Sequence, residues 1–116
     1  MFCNGRPSGR PIGKFQVNRH KMVDMATEIE AARQLTFHAL RKLVNGEPCA
    51  AEVSMAKIFS ARMGDFVATT CLQLHGGYGY MREYEVERYF RDLRINSIGG
   101  GTSEILKEIV GKMMGL

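Results

Sequence analysis

Two glycine-rich stretches carry the residues best suited to holding a ligand. The first, QLHGGYGY at 73–80, sets Gln73, Gly76, Gly77 and Gly79 among Tyr78 and Tyr80 at the close of a long apolar-periodic segment. Glycine leaves the main chain uncovered and tolerates positive φ, so a flat or phosphorylated group could lie there. The same residues also read as a glycine cap and turn that ends a helix. They are not a dinucleotide fingerprint, which must follow a strand and open a helix. The second stretch, IGGGTSEI at 98–105, has the opposite polarity: Gly99, Gly100 and Gly101 lead into Thr102, a good N-cap, and Glu104 in the first turn. The free N–H groups of such a helix start can hold an anion or a polar ring edge. A flexible loop before a capped helix is the plainer alternative. Glu104 could act as a base, although an acid in a first turn is also what the helix dipole favours.

The remaining reactive side chains give less. His20 and His38 have no Ser, Cys or carboxylate arrangement around them that would make a triad. His75 adjoins the glycine stretch, where it could touch a ligand or simply interact with the dipole at a helix C-terminus. Cys3, Cys49 and Cys71 are odd in number and far apart, and they form neither a CxxC pair nor a cluster with the histidines, so neither disulfides nor a zinc site is expected. Arg6, Arg10, Lys14, Arg19 and Lys21 place five positive charges in the first 21 residues without an acid. That patch would attract phosphate groups. Aromatic residues are not interleaved with it, so nucleic acid is not the expected partner.

These groups must be positioned by helices. With 116 residues, 45% of them hydrophobic and 24% charged, the chain fits one globular domain, and no apolar run is long enough to span a membrane. No signal-peptide pattern opens it, and a soluble intracellular setting is expected, bacterial cytoplasm or the mitochondrial matrix of a eukaryote. Residues 1–13 have loop composition and read as an irregular basic lead-in, and 14–116 as a helical domain. From Phe15, apolar residues at Met22, Met25, Ala26, Ile29, Ala32, Ala39, Leu40 and Leu43 follow helical spacing to Asn45-Gly46. Pro48 suits the start of a second long helix, whose stripe runs through Val53, Ala56, Ser60, Met63, Gly64, Val67, Cys71 and Leu74. Small residues at Ala56, Ser60 and Gly64 permit close helix contact. A loop is expected at 76–80. A short third helix follows, supported by Glu87 with Arg91 and Arg88 with Asp92 at i, i+4. A final helix from Thr102 turns Ile105, Leu106, Ile109, Val110 and Met113 to one face and ends near Gly115. No segment alternates as a strand does. The fold class is all-α, a helical bundle.

Taken in order, PIGKFQ before a long helix, then QLHGGYGY, then ERYFRDLRINSIGGGTSEI, the chain resembles the C-terminal helical domain of the acyl-CoA dehydrogenase family from about Arg10 to Leu116. The glycine-rich final turn is similar to that of the long-chain and isovaleryl members. The resemblance implies an incomplete version of the family's four-helix domain, with the helix that precedes these segments absent. It implies an FAD enzyme acting on acyl-CoA: a glutamate takes the α-proton, a hydride leaves the β-carbon for the flavin, and electrons pass on to an electron-transfer flavoprotein. By position, Gln16, Gln73, Gly76, Gly77 and Gly79 would hold the adenosine-diphosphate end of an FAD belonging to a neighbouring subunit. Thr102 and Glu104 would approach the flavin, and Gly101 the substrate.

Two departures from the family pattern have consequences. Many members carry the catalytic glutamate directly before the GT of the last turn, where this chain has Gly100. No residue here is therefore assigned as catalytic base; in the long-chain and isovaleryl members it comes from an earlier helix of the same domain. Where the family begins with an arginine and a phenylalanine before a glycine, this chain reads NGRPSG, with Gly5 and Ser8 at those places and Arg6 as a substitute phosphate contact. The expected function is thus the C-terminal portion of an acyl-CoA dehydrogenase that is inactive alone and self-associates through uncovered apolar stripes. A non-catalytic helical module binding CoA or adenine nucleotide is the alternative.

Overall fold

The computed structural model describes residues 11–116, and among these every regular element is helical. The long helices are α1 (Gln16–Val44) and α2 (Ala50–Leu74); α3 (Glu85–Leu93) and α4 (Ser103–Met113) are short. One-turn 3-10 segments stand at Ile12–Lys14, Gly76–Tyr80 and Arg94–Ser97. The expected lead-in lies outside the described residues as far as residue 10. Its last part is ordered: Ile12–Lys14 forms a 3-10 turn whose Ile12 carbonyl accepts a hydrogen bond from the Asn18 side chain at 2.9 Å.

α1 and α2 form an antiparallel hairpin. Cys71 Sγ lies 3.6 Å from Met25 Sδ near one end, and Lys42 pairs with Glu52 near the other. The buried residues of α1 are Met25, Ala32 and Ala39, a spacing of seven. On α2 the residues beside these are Ala56, Ser60 and Met63, which share grooves with Ala32, Thr36 and Ala39, so mostly small side chains let the two helices run side by side. The stripe read from the sequence was broader than this seam. Ile29, Leu40, Leu43 and Val53 are exposed, with Leu43 60% accessible.

α2 is the element on which most of the others pack: α1 on one side, α3, α4 and the turns at Gly76–Tyr80 and Arg94–Ser97 elsewhere around it, while the Ile12–Lys14 turn packs on α1. Its buried set accordingly includes Ala56 beside α1 and Gly64 beside α3. At Gly64 the expected close contact is made with α3: a Cβ there would meet Leu93 Cδ2 at 3.5 Å. Ser60, by contrast, lines open grooves beside α1. Of the two ion pairs expected on α3, Glu87–Arg91 forms at 2.8 Å; Arg88 instead reaches back to Glu85 at 3.7 Å. The i, i+3 acid lies nearer the helix N-terminus, where the dipole also favours it.

The radius of gyration is 17.4 Å, against about 13 Å for a compact chain of this length. A hairpin about 44 Å long carrying two short helices on one member cannot close a core around itself. Two shallow apolar grooves remain between α1 and α2, one of about 360 Å³ lined by Leu40, Leu43, Val53 and Ala56, the other of about 270 Å³ lined by Ile29, Phe37 and Met63. The uncovered stripe expected from the resemblance is present.

Candidate functional site

The first glycine stretch is a 3-10 turn, Gly76–Tyr80, rather than the irregular loop expected. α2 ends as His75 Nδ1 donates to the Cys71 carbonyl at 2.7 Å, and the backbone N–H of His75 reaches the Cys71 and Leu72 carbonyls. Gly76 then adopts φ +58°, the left-handed conformation that folds the chain back along its own helix. Gly79 is buried against that helix: a Cβ on it would sit 2.4 Å from the Leu72 carbonyl oxygen. Gly76 and Gly77 face the other way, exposed, with no atom within 4 Å of where their Cβ would be. Tyr78 lies 5.2 Å from Tyr84, ring centre to ring centre, and closes one flank. The result is a strip of bare main chain beside aromatic rings, with room for a flat or phosphorylated group.

Gln73 is exposed in the last turn of α2. Gln16 is exposed at the start of α1, nine residues before Met25, which meets Cys71. The antiparallel hairpin therefore brings Gln16 to the same end of the molecule as Gln73, Gly76, Gly77 and Gly79. This grouping could not be read from spacing, since 57 residues separate Gln16 from Gln73.

The second stretch lies elsewhere. Ile98 and Gly99 close a turn on the Ile95 carbonyl; Gly100 and Gly101 then take φ +64° and +96°, and Thr102 caps α4 by accepting from the Ile105 N–H at 3.3 Å. Lys57 of α2 donates to the carbonyls of Gly99, Gly100 and Gly101 at 2.5, 2.7 and 2.7 Å. Lys57 was missed in the sequence, where one lysine in a helix carries no signal. On the far side of this turn a cleft of about 430 Å³ is lined by Arg62, Arg94, Thr102, Ser103, Glu104 and Lys107 among others. Asp65 pairs with Arg94 there at 3.2 Å. Gly101, Thr102 and Glu104 are thus grouped, but not with the first stretch: from Lys57 to the end of α2 is about 26 Å. The two glycine turns form separate surfaces on one chain and share no crevice within it.

Among the described residues no group of His, Cys, Asp and Glu could hold a metal ion, and no helix is long and apolar enough to cross a membrane. His20 and His38 are exposed. Cys71 is part-buried, and burial pushes its thiol up, away from reactivity.

With this geometry in hand, comparison with known proteins is decisive. The family model for the C-terminal domain of acyl-CoA dehydrogenases matches residues 1–115. The chain belongs to the acyl-CoA dehydrogenase family. It is 42% identical over 101 residues to the 3-(aryl)acrylate reductase of Clostridium sporogenes, covering 87% of this chain and 27% of the relative. Against the structure of butyryl-CoA dehydrogenase from Megasphaera elsdenii the TM-score is 0.96 at 35% identity, covering 99% of this chain and 30% of the other. The FAD complex of PigA superposes with a TM-score of 0.93 at 25% identity, again over 99% and 30% of the two chains. The chain thus spans less than a third of the length of the relatives it matches.

Proposed function

We propose that this chain is the C-terminal helical portion of an FAD-dependent acyl-CoA dehydrogenase. The observation that carries the reading is the bare, exposed main chain at Gly76 and Gly77, with a second glycine turn at 99–101 leading into a helix N-terminus about 26 Å away along α2. A dinucleotide is long, and two separated turns suit its two ends held by neighbouring subunits better than they suit one compact ligand. Gln16, Gln73, Gly76, Gly77 and Gly79 hold the adenosine-diphosphate end of a neighbour's FAD. Gly101, Thr102 and Glu104 line the flavin and acyl-thioester side. Bound FAD supplies the hydride acceptor for α,β-dehydrogenation of an acyl-CoA thioester, and an electron-transfer flavoprotein takes the electrons onward.

What the chain's own residues contribute is binding and orientation. Gly100 can donate an N–H but has no side chain to take a proton, so the base belongs to another part of the enzyme. Leu40, Leu43 and Val53 offer an exposed apolar groove, and the chain self-associates through that face. Residues 14–116 act as one unit in this assembly, preceded by the basic lead-in at 1–13. A matrix or bacterial cytoplasmic setting suits a protein of this chemistry.

Titration tests the reading. Alone, the chain binds FAD feebly and turns nothing over. Mixed with the remaining N-terminal part of a homologous dehydrogenase, it restores FAD binding, seen as flavin fluorescence quenching, and reduction of an electron acceptor by an acyl-CoA. Binding of CoA or ADP with Kd near ~1 µM, with no turnover and no gain from the complement, would make it a self-sufficient nucleotide module instead.

A further inference from the structure

The three N–H bonds of one ammonium group are all directed at backbone. Lys57 Nζ reaches the carbonyls of Gly99, Gly100 and Gly101, and it has no carboxylate partner among the described residues. An alkylammonium is a compact charge whose donors can diverge to three acceptors, which the planar fork of arginine cannot do. In a trans peptide the carbonyl of one residue and the N–H of the next point in opposite directions, and no peptide bond of the described residues is cis. Three carbonyls turned toward Lys57 therefore turn the N–H groups of Gly100, Gly101 and Thr102 away from it. These amides fan out on the face opposite the ammonium and lead directly into the N-terminus of α4.

We propose that Lys57 is a positioning residue for this turn: its ammonium clamps three glycine carbonyls so that the amides of Gly100, Gly101 and Thr102 are fixed on the outer face, where one of them donates to a ligand oxygen. The identity of that ligand, a flavin or thioester oxygen, rests on the reading above; the clamp itself does not. Without the cation the three carbonyl dipoles would face one another uncompensated, and Gly100 and Gly101, lacking side chains, would have little else to hold them in their left-handed conformations.

Nuclear magnetic resonance on the whole chain tests this. In the wild type the Lys57 ammonium protons exchange slowly enough to be seen and show couplings to the carbonyl carbons of residues 99–101. In Lys57→Met, with helicity unchanged by circular dichroism, the Gly99 amide, which donates to the Ile95 carbonyl, exchanges faster by about tenfold, the factor carried by one charge-assisted hydrogen bond, and the amide resonances of residues 100–102 shift. Amides of the Gly76–Tyr80 turn do not change. Propylammonium added to Lys57→Ala restores slow exchange, and propanol, its uncharged counterpart, does not. Lys57→Arg fails to restore it. Unchanged exchange in Lys57→Met, or equal rescue by propanol, overturns the proposal. If the variants do not fold, wild-type ammonium protons that show no carbonyl coupling overturn it alone. FAD titrated into the wild type without shifting these amides, even with the complement present, counts against the flavin assignment and leaves the clamp standing.

Discussion

Three glycines in one turn serve three different purposes, and substituting each by alanine separates them. Gly79 packs on α2: its added methyl would lie 2.4 Å from the Leu72 carbonyl oxygen and 3.2 Å from Leu72 Cγ. The obstacle is backbone in the last turn of a helix, and the Leu72 carbonyl already accepts from the His75 N–H. Either the turn lifts off α2 or the helix end distorts. Overpacking of this kind costs about 1–3 kcal/mol, and a chain of this size loses about 4 °C of Tm per kcal/mol. Gly79→Ala should therefore melt about 4–12 °C below the wild type. Gly76 meets no neighbour but holds φ +58°, so Gly76→Ala pays only the left-handed backbone cost, about 1–2 kcal/mol. Gly77 has open space and no positive φ, so Gly77→Ala should keep or slightly raise Tm, by up to about 1 kcal/mol of reduced unfolded-state entropy. Thermal melts followed at 222 nm rank the three. The functional reading adds a second axis: Gly77→Ala, though stable, puts a methyl on the bare outer face and should weaken FAD binding in the complemented enzyme by about tenfold. Equal stability of Gly79→Ala and wild type would refute the packing argument. Unaltered FAD affinity in Gly77→Ala would refute the placement of the cofactor on this face.

Two further outcomes are expected. The Lys42–Glu52 pair ties the end of α1 to the first turn of α2, and that hydrogen bond holds the Glu52 carboxyl below its ordinary range while raising Lys42. A carboxylate with a depressed folded-state pKa stabilises above its unfolded value and loses that contribution as pH falls through the folded one. Acid melts should therefore show hairpin stability falling below pH ~4.3, and Glu52→Gln should flatten that limb while lowering stability at neutral pH. Leu40 is 47% exposed beside the larger groove, so Leu40→Glu should leave helicity intact and weaken self-association by about tenfold in sedimentation equilibrium. A dimer that survives this change would place the interface elsewhere.

The elements themselves were legible because local rules set them. Apolar spacing of three and four, Asn45-Gly46 and Pro48, and Thr102 with Glu104 marked helix limits that agree with α1, α2 and α4 to within a few residues. Competition among local contacts was harder to read: Arg88 had acids available on both sides and took Glu85. The 3-10 winding of Gly76–Tyr80 was not visible at all, since glycine encodes permission to turn and not which turn is made. The packing of Gly79 on Leu72 selects it.

The sequence by itself settled which segments are helical, where bare backbone occurs and, through three motifs in order, which family the chain resembles. Only the tertiary structure decided what those segments face. It drew Gln16 to Gln73 and Gly77 by closing an antiparallel hairpin, and it held the two glycine turns about 26 Å apart on α2. It also directed Lys57 onto carbonyls 42–44 residues away. The physical reason is that helix propensity and capping act within a turn or two, whereas such groupings depend on how long helices align. Here small residues, Ala32 and Ala39 of α1 beside Ala56 and Ser60 of α2, let the helices approach and leave larger side chains such as Leu43 outside.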